Sequence, residues 1–227
     1  INNMKTKFLH IATALLFVGF TSSCSDFLDR YPLDELSDSS FWKTENDAMM
    51  AVTDIYGCLP TWDQDEDINS DNAVHGIKWA AGNISKGVYD PMDQSWAGSY
   101  TPIRQCNLVL EKVKDIEMSD ESRKKIEGQA YFFRAFVYFN LIRSFGDVPY
   151  IDKPLNLTDV EDITRTPREE VYAKVMADFD KAIEYLPEEW DAANTPRVTK
   201  GAALAMKARA ALYYNNCLLY TSPSPRD

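Results

Sequence analysis

The chain has 227 residues, 45% hydrophobic and 12% aromatic, and a formal net charge of −11. That length accommodates one or two domains with a sizeable core, and the apolar share excludes a wholly disordered polymer. The negative charge argues against a nucleic-acid or anionic-membrane partner, because an acidic surface repels phosphate.

The first element is a targeting segment over residues 1–23. Lys5 and Lys7 follow Met4 as a short basic region, and "FLHIATALLFVGF" (Phe8–Phe20) is an apolar run. It is shorter than the roughly 20 residues a membrane-spanning helix needs and has the flanks of a secretory signal. Ile1, Asn2 and Asn3 precede the start Met4 and read as translated upstream sequence. Thr21, Ser22 and Ser23 then lead into Cys24, a pattern that resembles the lipobox of bacterial lipoproteins. Cys24 is therefore the expected lipid-attachment residue, each buried methylene of the acyl chains adding about 0.8 kcal/mol of anchoring. Thr21 departs from that pattern, in which an aliphatic residue is usual, and an ordinary secreted protein with an incidental cysteine is the alternative. Removing residues 1–23 takes away two lysines and no acids, so the charge moves from −11 to −13. Asp26 and Asp29 follow Cys24 at once. Such an acidic stretch resembles the surface-export signal of Bacteroidota lipoproteins, or else is a solvated linker.

Residues 25–40 read as a tether. In "FWKTENDAMMAVTDIYGCLP", Thr44 is an N-cap with Asp47 three residues on, and Met49, Val52, Ile55, Tyr56 and Leu59 recur at helical spacing. Gly57 and Pro60 close that helix. Residues 61–92, rich in Gly, Asn and Asp, hold no period for long and read as a folded loop region. Within it, "DQDEDIN" (Asp63–Asn69) spaces oxygens like the start of a calcium loop. Ile68 stands where the loop glycine belongs and Val74 where the closing glutamate belongs, so a helix-hand site is rejected.

In "DQSWAGSYTPIRQCNLVLEKVKDI", Trp96, Tyr100, Ile103, Asn107 and Leu110 share a helical face, and Pro102 is expected to kink or restart the helix. Trp96 and Tyr100 read as core. "SDESRKKIEGQAYFFRAFVYFNLIRSFGDVPYI" gives the clearest helix, capped by Ser119, striped by Ile126, Ala130, Phe133, Val137 and Leu141, and stopped by Gly146. Phe132, Phe136, Tyr138 and Phe139 widen its apolar surface, so burial on more than one side is expected.

"TPREEVYAKVMADFDKAIEYLP" reads as Thr166 N-cap, Pro167 first helical residue and Glu169 closing a capping box, with Val171, Val175, Phe179, Ala182 and Leu186 inward. "TKGAALAMKARAALYYNN" is capped by Thr199 and rich in alanine (Ala202, Ala205, Ala208–Ala211), as a close-packed helix would be. No alternating strand run occurs, so the expected fold is all-α, with helix pairs of tetratricopeptide-like packing that lack a strict repeat.

Cys58 and Cys106 remain beyond the tether. An export compartment permits a disulfide between them, while their apolar helical contexts favour buried free thiols. The tail "CLLYTSPSPRD" (Cys217–Asp227) interrupts the last helix with a Pro/Ser segment. Its reverse translation fits a transposase-type sequencing adapter. Residues 217–227 are therefore expected to be an assembly artefact, with the natural chain running on beyond Asn216.

Four phrases, "SFWKTENDAMMAVTDIYG", "AYFFRAFVYFNLIRSFGDVPYI", "TPREEVYAKVMADFDKAIEYLP" and "RVTKGAALAMKARAALYY", resemble in order the N-terminal half of SusD/RagB proteins. The phrase "RAF-x-YF-x-L-x-R-x-FG-x-VP" (Arg134–Pro149) is the most specific, and the resemblance covers nearly all of residues 24–216. It implies a surface-exposed, lipid-anchored outer-membrane protein with a SusD-like helical domain and irregular ligand-binding loops. Its ligand would be an oligosaccharide, or a peptide in the RagB branch, and it would act as a lid on a SusC-like TonB-dependent transporter. No catalytic residue, metal or cofactor is implied. Of the residues at family ligand positions, Trp79 and Asn83 correspond to a stacking tryptophan and its polar partner, with Tyr89 and Asp90 assisting. A sugar's C–H face lies on an aromatic plane while amides and carboxylates bond its hydroxyls. Trp79 as a core or capping aromatic is the alternative.

Two other classes stay open. A surface glycoside hydrolase would need a pair of carboxylates, which no local motif nominates. Outside residues 1–23, His75 is the single histidine and no nucleophile motif accompanies it. A helical-repeat adaptor would bind a protein partner and no small ligand.

Overall fold

The computed structural model describes residues 41–59, 96–155 and 163–214. The targeting segment, Cys24, the Asp63–Asn69 loop and the 217–227 tail lie outside the described residues. The chain divides into Ile1–Phe41 and Trp42–Asp227, and the architecture below is that of the second unit. Its helices are α1 (Glu45–Ile55), continued by a 3-10 turn (Tyr56–Cys58), α2 (Trp96–Lys112), α3 (Asp120–Phe145), α4 (Arg168–Tyr185) and α5 (Lys200–Tyr213). Among the described residues the extended pairing is a single bridge between Val148 and Thr166. The all-α expectation holds.

Local chemistry sets most of the helix starts. Thr44 forms a full capping box: its hydroxyl accepts from the Asp47 amide, and the Asp47 carboxylate accepts from the Thr44 amide at 2.8 Å. Those bonds hold the Asp47 carboxyl below its usual range, the Thr44 side chain contributing most. Ser119 caps α3 through the Ser122 amide, and Thr199 caps α5 through the Ala202 amide. Gly146 ends α3 at φ 71°, a left-handed backbone that glycine adopts without a Cβ penalty.

Two expectations need correction. The restart expected at Pro102 does not occur: the proline lies buried inside one continuous helix. Proline lacks only its own N–H and clashes with one carbonyl, so a helix held by packing on both sides of it tolerates the loss. The capping box at α4 is absent: Pro167 is the cap and makes no side-chain bond. Thr166 is drawn instead into the bridge, exchanging backbone bonds of 3.2 and 3.0 Å with Val148. The cap oxygen comes from Asp147, whose Oδ1 accepts from the Arg168 amide at 2.9 Å, while Glu169 pairs with the Arg168 side chain. Replacing Asp147 with alanine should therefore cost about 1 kcal/mol, the usual value of an N-cap. Glu169→Ala should cost less than that, and urea midpoints of the two variants decide the order.

Contacts between helix ends make α2, α3, α4 and α5 an antiparallel series. Trp96 opens α2 with its ring 4.8 Å from Phe145 at the end of α3. Gly128, early in α3, faces Tyr185 and Leu186 at the end of α4, where an added Cβ would fall 3.0 Å from the Tyr185 Cβ. Tyr172 near the start of α4 stacks on Tyr214 beyond α5 at 4.3 Å.

α3 is central and buries side chains around its circumference, including all five stripe residues and Phe132, Tyr138 and Phe139. The five inward residues expected in α4 and after it, Val171, Val175, Phe179, Ala182 and Leu186, are all buried. In α5 the buried alanines are Ala203, Ala210 and Ala211, whereas Ala205 is exposed together with Leu204 and Leu212.

Trp96 and Tyr100 are half-buried against the core, as expected. Arg165 lies over the Trp96 ring at 5.4 Å, and the Tyr100 hydroxyl donates to the Pro149 carbonyl at 3.1 Å. Cys58 is half-buried and Cys106 buried, both as free thiols. Desolvation pushes the Cys58 thiol up to about 11 and raises Cys106 as well, so neither is disposed to act as a thiolate nucleophile.

Candidate functional site

Trp79, Asn83, Tyr89 and Asp90 lie outside the described residues, as does Cys24. The segment carrying the four ligand candidates departs after Leu59 and rejoins at Trp96. Cys58 and Gly98, close in sequence to those two points, line one cleft of about 480 Å³, within the ~300–1,000 Å³ range of small-molecule sites.

Three elements build the cleft. The last turn of α1 brings Asp54, and the 3-10 turn brings Gly57 and Cys58. Gly57 has open space where a Cβ would stand. From α2 come Gly98, Thr101 and Gln105, the last two one turn apart and so on one face. From α3 come Phe136 and Asn140, again one turn apart. Phe136 is half-buried and lies parallel to Phe132, with ring centroids 6.4 Å apart.

The polar centre of the cleft is a hydrogen bond from Gln105 Nε2 to Asp54 Oδ2. It orients both groups and leaves Asp54 Oδ1 and Gln105 Oε1 as acceptors, with one amide N–H still to give. Asn140 and Phe136 also line the cleft, so it combines groups able to accept from and donate to hydroxyls with an apolar surface. Sequence reasoning missed all four residues, because Asp54 and Gln105 are 51 positions apart and meet only through packing of α1 on α2. Among the described residues, no three His, Cys, Asp or Glu side chains converge to hold a metal.

The other polar cluster is closed. Arg134 in α3 donates to both Asp178 oxygens at 2.7 Å and to Asn107 Oδ1 at 2.8 Å. Asn107 in turn donates to the Ile151 carbonyl at 2.9 Å. This network ties α2, α3, α4 and the 147–153 connection together, and Arg134 and Asp178, 7% and 6% exposed, lie within the core.

Known proteins share this fold. A SusD-like protein of Formosa agariphila is 30% identical over 217 residues, covering 88% of this chain and 42% of its own. A SusD-like protein of Bacteroides fragilis has a crystal structure that superposes with a TM-score of 0.73 at 28% identity, covering 84% of this chain and 39% of that one. A laminarin-binding SusD-like protein shares the fold with a TM-score of 0.71 at 23% identity, covering 78% of this chain and 42% of that one. The chain thus spans less than half the length of the relatives it matches. Residues 26–212 match the SusD-like family model described as starch-binding and associating with the outer membrane, and the chain belongs to that family.

Proposed function

We propose that the chain captures an oligosaccharide at the outer surface of the outer membrane, anchored through Cys24, and serves as lid and delivery subunit for a SusC-like TonB-dependent transporter. The observation that carries this reading is the family match over residues 26–212, to a group described by starch binding and outer-membrane association. The laminarin-binding relative supports a glycan as the ligand class. The cleft at the root of the 60–95 segment supports it chemically, since Asp54, Gln105, Asn140 and Phe136 combine hydroxyl partners with an apolar wall. Trp79, Asn83, Tyr89 and Asp90 would extend that surface. Binding energy would come from stacking and from hydrogen bonds to hydroxyls, with no bond in the ligand made or broken.

Calorimetric titration of the chain with laminarin- and starch-derived oligosaccharides tests this. Saturable binding is expected, and Trp79→Ala should weaken it by tenfold or more, roughly the effect of losing a stacking anchor. Binding of peptides alone would replace the ligand class, and new reducing ends on incubation would replace capture by hydrolysis. Recovery of the protein from solubilised outer membranes without a transporter would remove the delivery role.

A further inference from the structure

We propose that the outer face of α5 is an intramolecular docking surface, covered in the complete protein by a helix that the chain forms after residue 216 and that runs antiparallel to α5.

The exposed residues of α5 are Gly201, Leu204, Ala205, Arg209, Leu212 and Tyr213, and Arg209 alone among them is charged. Leu204, Leu212 and Tyr213 are 49%, 56% and 52% exposed. α4, by contrast, exposes charged residues such as Glu170, Lys174 and Lys181. A surface helix keeps one apolar and one polar face, whereas a helix apolar all round is built for burial on both sides. Leu204 and Leu212 share one side of α5, where Gly201 and Ala205 are small enough to let a second helix approach closely.

An unpartnered polar atom lies at the C-terminal end of the same helix. Tyr172 Oη is buried and has no hydrogen-bond partner. Its ring stacks at 4.3 Å on Tyr214, just past α5. Buried hydroxyls are nearly always bonded, so an acceptor is due from whatever packs against this end.

Connectivity selects the occupant. α5 is the last of the described helices in the antiparallel series and packs on α4 and α3. Helices in such a series are joined by short connections, so the next one starts beside this face. The chain covers 42% of a relative's length, and the remainder of that relative is more than enough for such a helix. A segment held by a short loop acts at an effective concentration on the order of millimolar, which favours it over a second copy or a separate partner.

The test uses the complete reading frame recovered from the source DNA, carrying Leu204→Cys or Leu212→Cys. Reaction at the native thiols is subtracted with the unaltered protein, and circular dichroism checks that each variant folds. Each new thiol should react with a maleimide at least about tenfold more slowly than in the same protein unfolded in urea, at every protein concentration. Tyr172→Phe should lower the melting temperature of that protein by about 1–2 °C through the lost hydrogen bond. A melting temperature that holds or rises overturns the acceptor for Tyr172. Rates at both positions close to the unfolded value overturn the docking surface. Protection that vanishes on dilution assigns the face to a second copy and overturns it too, as does a reading frame that stops near residue 227. None of these readouts involves a ligand, so the docking surface stands or falls apart from glycan capture.

Discussion

Replacing Arg134 with methionine is expected to destabilise the protein by about 3–5 kcal/mol, the usual penalty for removing one partner of a buried ion pair. Arg134 and Asp178 are 7% and 6% exposed, so Asp178 left alone would keep a charge with almost no water to solvate it. Burial lifts the Asp178 carboxyl above its ordinary range against the pull of the guanidinium. Burial also draws Arg134 down, yet the Asp178 bonds and charge more than reverse this and hold it above its usual value. The two effects favour opposite protonation states of the pair. Two contacts of 2.7 Å in a bidentate fork are the geometry of the ionised pair, and that is the state the fold holds. The same substitution orphans Asn107 Oδ1, which loosens the hold of α2 on the Ile151 carbonyl. A double variant, Arg134→Met with Asp178→Leu, should recover most of the loss, because apolar groups of similar size avoid stranding a charge. Urea midpoints of the three proteins decide it. A single variant within about 1 kcal/mol of the unaltered chain would show that water reaches the pair.

This pair marks the boundary of what could be read from the sequence. Arg134 opens the phrase that most specifically resembles the SusD family, yet its partner stands 44 residues away in another helix and nothing local points to it. Where a signal is local, it succeeded. Thr44, Ser119 and Thr199 each sit three residues from the amide they cap, and all three caps form. At α4 the same reasoning failed because the capping oxygen comes from Asp147, 21 residues upstream, delivered by the turn at Gly146. The apolar stripe of α3 was legible from its period. The placement of the α5 alanines was not, because which face of an alanine-rich helix is buried depends on the neighbouring helix. The cleft likewise consists of pairs one turn apart on separate helices, each unremarkable until packing brings them together.

Phe133→Ala should cost a further 3–5 kcal/mol, about as much as breaking the ion pair but by a different route. Phe133 is fully buried, edge-on to Tyr56 at 4.5 Å and to Phe132 at 5.3 Å. Truncation removes the transfer energy of the ring and leaves a cavity whose lining loses dispersion contacts. The site resists collapse because Tyr56 is pinned from the other side. Its hydroxyl donates to Gln129 Oε1 and accepts from the Val198 amide, both at 2.9 Å. A ring held by two hydrogen bonds cannot slide into the void without breaking them, so the cost belongs at the upper end of the range. Phe133→Leu refills most of the volume and should lose less than half as much. At roughly 2–4 °C per kcal/mol for a chain of this size, the alanine variant should melt on the order of 10 °C below the unaltered protein. A near-unchanged melting temperature would mean that Tyr56 moves freely into the space. Its bonds to Gln129 and Val198 would then not be what holds the end of α1 against the connection to α5.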